Sequence, residues 1–75
     1  MPKLGQTVIF NVSEETGNSL QTLGCNKQTQ YPATVVAVWS EECVNLKVQV
    51  DGTHPDLWIT SAQRGTEANQ WQEAE

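Results

Sequence analysis

A chain of 75 residues with nine acidic and four basic side chains, net charge −5, has room for one small hydrophobic core and no second. Gripping a phosphate backbone takes clustered Lys and Arg, whereas Lys3, Lys27, Lys47 and Arg64 are scattered, so no nucleic-acid partner is expected. No apolar run approaches the roughly 20 residues that span a bilayer, so no membrane partner is expected either.

The opening Met1-Pro2-Lys3-Leu4-Gly5 lacks the apolar centre of a secretory signal. Absent a signal removed beforehand, a cytoplasmic protein is expected, with Cys25 and Cys43 reduced. Thr7 to Val12 reads as the first strand, with Val8, Phe10 and Val12 on one face. A long polar stretch rich in Gln, Asn, Thr and Gly follows from Ser13 to Tyr31. That is unusual for a connection in a compact domain; it carries a binding surface or hides a short strand near Leu20 to Leu23. No segment shows a helical stripe.

Ala33 to Trp39 is β-branched and apolar on both faces, as in a central strand, with Pro32 at its start, where a missing N–H costs little. Ser40-Glu41-Glu42 is short enough to turn a hairpin. In the next strand Val44, Leu46, Val48 and Val50 alternate with Asn45, Lys47 and Gln49. Period-two alternation marks a half-buried antiparallel strand, and Asp51-Gly52 ends it as a turn. Leu57 to Ser61 is the fourth strand. Residues 65–75 form a polar tail, helical or loose, interrupted by Trp71.

Short strands, a long first loop and a tight middle hairpin suit an all-β fold, a small Src-homology-3-like barrel of four to five antiparallel strands. Closure spares such a sheet its exposed edges. The expected division is a β-barrel domain over 1–64 and a C-terminal tail over 65–75. Stability of only a few kcal/mol is expected at this size, which makes a homo-oligomer a reasonable default.

Catalysis needs converging groups, and the chain offers few, so no enzyme and no cofactor are expected. His54, the single histidine, lies in a polar turn with Asp51 and Asp56. That trio reads as a turn rather than a metal site. The cysteines form no CxxC pair; Cys43 is expected buried and Cys25 exposed, with a disulfide between them a lesser alternative. The aromatic residues are the better binding candidates. Tyr31, Trp39 and Trp58 flank strands and can line a groove at the barrel rim, although Trp39 and Trp58 are expected chiefly to fill the core or plug a barrel end. Trp71 either pins the tail or anchors a partner. Arg64 or a lysine is the available group for a phosphate-bearing ligand.

The run Pro32-Ala33-Thr34-Val35-Val36-Ala37-Val38-Trp39-Ser40, then Cys43-Val44-Asn45-Leu46, Asp51-Gly52 and Trp58-Ile59-Thr60-Ser61 follow Gly5-Gln6-Thr7-Val8 in fixed order. Together they resemble a widespread group of short proteins of unknown function from tailed bacteriophages and prophages. The resemblance covers most of residues 5–61 and implies a phage setting and a barrel-like fold, not an activity. Many relatives end in a Gly-Thr-Trp-His-Trp-Pro-like tail, whereas here Gly65-Thr66 leads to Glu67-Ala68-Asn69-Gln70-Trp71. The expected role is a non-enzymatic accessory module in the host cytoplasm, binding a host protein or sequestering a small nucleotide of bacterial defence. The alternative is a minor virion or capsid-decorating protein.

Overall fold

A computed structural model describes residues 2–24, 28–51 and 55–74. Five strands close into a barrel in the order β1-β2-β3-β4-β5: β1 (Thr7–Asn11), β2 (Gln30–Val38), β3 (Cys43–Val48), β4 (Leu57–Arg64) and β5 (Gln70–Glu73). A helix, α1 (Glu14–Thr22), lies between β1 and β2. The fold is a small Src-homology-3-like barrel. No helix among the described residues is long and apolar enough to cross a membrane.

The alternation in the sequence sets the inward face. Val8 and Phe10 of β1, Tyr31, Ala33 and Val35 of β2, and Val44, Leu46 and Val48 of β3 are buried together. Ala62 of β4 and Trp71 of β5 complete the wall, and Val12, Val38, Leu57 and Ile59 pack against it. Before β1, Gly5 turns at φ 85°, so its N–H reaches Val35 O at 2.7 Å and Gln6 O accepts from Val35 N at 2.9 Å.

The seams β1–β2, β2–β3, β3–β4 and β1–β5 are antiparallel. The fifth, β4–β5, is short and parallel, pairing Gln63 with Gln70 and Arg64 with Trp71. Parallel neighbours ordinarily need a long crossover. Here residues 65–69 make one tight loop, with Gln70 N–H on Glu67 O at 3.2 Å and Asn69 left-handed at φ 65°. The loop moves the chain sideways by one strand without reversing it.

Residues 65–75, expected as a tail outside the barrel, thus supply the strand that closes it. Trp71 is fully buried, and its indole N–H faces Ala62 O at 3.2 Å and Glu42 O at 3.3 Å. Asn11 ties β1 to this corner. Its Nδ2 lies within 3.2 Å of Gly65 O, Gln70 O and Gln72 Oε1, and its Oδ1 accepts from Gln30 Nε2 at 2.9 Å.

The polar stretch after β1 holds α1, not a strand near Leu20. Ser13 is its N-cap, with Oγ accepting from Thr16 N at 3.1 Å. Glu14 and Glu15 occupy the first turn, where carboxylates favour the helix dipole. Leu20 enters the core, and Gly24, left-handed at φ 92°, follows the last turn as such positions require.

Candidate binding face

Because Val44, Leu46 and Val48 point inward, Asn45, Lys47 and Gln49 belong on the outside of β3. Lys47 is exposed, yet Asn45 keeps only 8% of its surface. The cause is a pair of register shifts, one on each side. On β2 the pairing runs Val35↔Leu46, then Ala37↔Asn45, leaving Val36 extra. On β4 it runs Leu46↔Ile59, then Val44↔Ala62, leaving Thr60 and Ser61 opposite Asn45.

Two residues facing one form a β-bulge, which leaves a backbone group without its ladder partner. Asn45 Oδ1 fills that vacancy on β4. It accepts from Ser61 N at 2.7 Å and from Thr60 Oγ1 at 3.2 Å, while Ser61 sits left-handed at φ 56°. The same oxygen accepts from Trp39 Nε1 at 2.9 Å. The indole is therefore drawn over Asn45 and shields it.

Trp39 is held by one ring edge and remains 63% exposed. Trp58 is 62% exposed and stands directly opposite Lys47, which in turn faces Thr34 across β2. The two rows, Thr34–Lys47–Trp58 and Val36–Asn45–Thr60, are adjacent, about 7 Å apart along the strands. Val36 is 40% exposed. Gln49 Nε2 donates to Thr34 Oγ1 at 3.0 Å beside them. The outer surface of β2, β3 and β4 is thus an aromatic platform with one ammonium group. Exposed carboxylates lie beyond it at both ends of the strands: Glu41 and Glu42 after Trp39, Asp51 and Asp56 before Trp58.

The five residues expected to bind a partner are split by the fold. Trp39 and Trp58, expected chiefly as core, are on the surface. Their positions fall on the outward phase of the strands, and an outward Trp on a closed barrel has no second layer to bury it. Tyr31 and Trp71, expected at a rim and in a tail, are in the core. Arg64 lies with its guanidinium 5.0 Å from the centroid of the Trp71 ring and pairs with Glu73 at 3.1 Å. It covers the buried indole and is already engaged by a carboxylate.

Asn45 was not singled out by its sequence context, where it is one polar residue in an alternating strand. Its role depends on two bulges that no local pattern announces. Cys43, expected buried, is half-buried and carries a free thiol; Cys25, Lys27, Gly52 and His54 lie outside the described residues. Among the described residues no three His, Cys, Asp or Glu side chains gather as a metal site. A shallow cleft of about 140 Å³ opens beside Ser13 at the start of α1, lined by Val12, Glu14, Gly17, Gln28 and Thr29. No protein-family model, curated protein or solved structure matches the chain.

Proposed function

We propose that the protein is a non-catalytic binding module, of the accessory kind made by tailed bacteriophages, that engages a host protein through the outer face of β2, β3 and β4. One observation carries this reading: two tryptophans, each more than three-fifths exposed, share a face on which one is fixed by a hydrogen bond. An exposed Trp is costly to leave in water and is enriched among residues that anchor partners. A pre-positioned ring also loses less side-chain freedom when a partner arrives.

The face suits a protein better than a nucleotide. Among the described residues of its strands the one ammonium is Lys47, its flanks carry exposed carboxylates, and Arg64 is paired with Glu73. A phosphate would meet repulsion there. The test is quantitative affinity enrichment from infected host cells with the wild-type protein and Trp58→Ala, followed by calorimetry with the purified partner. A partner that binds the wild type stoichiometrically and Trp58→Ala at least tenfold more weakly supports the reading. Identical partners and affinities for both proteins overturn it. Recovery of the protein from purified particles in fixed ratio to the capsid subunit would put the virion role in its place.

A further inference from the structure

Granting that this face binds a protein, we infer that its occupant is an arginine-bearing basic segment, extended over Trp39 and Trp58. Three observations converge on it. Both indoles offer exposed π-faces, and a guanidinium is the side chain best suited to lie flat on such a face. The barrel already contains that contact in Arg64 over Trp71. Finally, Glu41, Glu42, Asp51 and Asp56 are exposed carboxylates in the connections that flank the face carrying Lys47, within a chain of net charge −5.

The same observations weigh against a second copy of this chain as the occupant of this face. Two like-charged barrels would bring acidic flanks together. The exposed parts of Trp39, Trp58 and Val36 amount to roughly 350 Å², less than half the about 800 Å² per partner of a standard stable interface. An area of that size suits a short segment. The outward face of the sheet presents side chains, so recognition here falls to Trp39, Trp58 and the groups around them. Trp58 Nε1 makes no hydrogen bond among the described residues and can donate to a carbonyl of the segment.

The probes are three synthetic peptides of equal length, built from Gly-Arg-Ser, Gly-Lys-Ser and Gly-Glu-Ser repeats. Binding is read by calorimetry and by the indole N–H resonances of the intact protein. The Arg peptide should bind saturably and move the Trp39 and Trp58 resonances while leaving Trp71 in place. The Lys peptide should bind about fivefold more weakly and the Glu peptide not at all. Trp58→Ala and the double variant Glu41→Lys, Asp56→Lys alter only exposed positions, and each should weaken the Arg peptide about tenfold.

Equal binding of the Arg and Lys peptides, undiminished binding by Trp58→Ala, or no binding of the Arg peptide at millimolar concentration overturns the inference. The host partner separates this failure from that of the broader reading. A partner that depends on Trp58 but contacts the face through a segment without Arg or Lys sinks the basic segment and leaves the binding module standing. If no partner depends on Trp58, the binding face itself is wrong.

Discussion

Asn45 has a side-chain oxygen that accepts from Trp39, Thr60 and Ser61. Removing it strands the Ser61 N–H of the bulge and frees the Trp39 ring. Loss of a shared buried acceptor costs the desolvation of what it served, so Asn45→Ala should lose about 2–3 kcal/mol in urea unfolding followed by circular dichroism. Asn45→Asp keeps the oxygen and the volume and should lose less than half as much; equal losses would mean that an acceptor oxygen at this position is not what holds the bulge. Arg64 and Glu73 make the opposite case. Their ion pair is at a partly exposed site, where such pairs contribute little. Glu73→Gln should shift stability by no more than about 0.5 kcal/mol, whereas Arg64→Ala also uncovers Trp71 and should cost more. Trp39, Asn45, Thr60 and Ser61 come from three separate stretches of the chain and meet in one hydrogen-bonded knot.

Elements were legible in proportion to how much of their burial is periodic. β3 was plain because Val44, Leu46 and Val48 alternate without interruption, and β1 because Val8 and Phe10 do the same over a shorter span. β4 was seen only to Ser61, because the bulge there breaks the alternation before Ala62 resumes it. α1 escaped notice for a related reason. Only Gly17 and Leu20 of its nine residues are buried, too few to draw a stripe. Its signals were at the ends, Ser13 before two glutamates and Gly24 after the last turn. That cap can be tested alone: Ser13→Ala should destabilise the domain by about 1 kcal/mol, read as a lowered urea midpoint with unchanged slope. β5 was invisible for want of a second inward residue, since Trp71 alone carries its share of the core. The candidate face was half legible: its tryptophans were named, but which side of the wall they occupied depended on closure.

At the scale of the whole molecule, closure between β1 and β5 joins the two most distant parts of the chain, with Val8 opposite Glu73 and Phe10 opposite Trp71. Such long-range pairing is slow to form, and a core this small cannot spare its largest side chain. Removing residues 66–75 should therefore abolish cooperative unfolding, and the near-ultraviolet circular dichroism of the fragment should be flat. A sigmoidal melt from that fragment would show that four strands suffice. Trp71→Phe keeps most of the volume but removes the indole N–H shared by the Ala62 and Glu42 carbonyls, of which Glu42 O keeps the Arg64 N–H at 2.8 Å; it should fold, with about 1 kcal/mol lost. The Val8–Glu73 pairing also frees the barrel from its own chain order. A short glycine linker between those neighbouring strands would bridge a gap of about one strand spacing, and new ends could be cut between α1 and β2. The circular permutant would carry β5 directly into β1, making the slowest seam of the native chain its most local one, while the tryptophan platform on β2, β3 and β4 stayed in one uninterrupted piece.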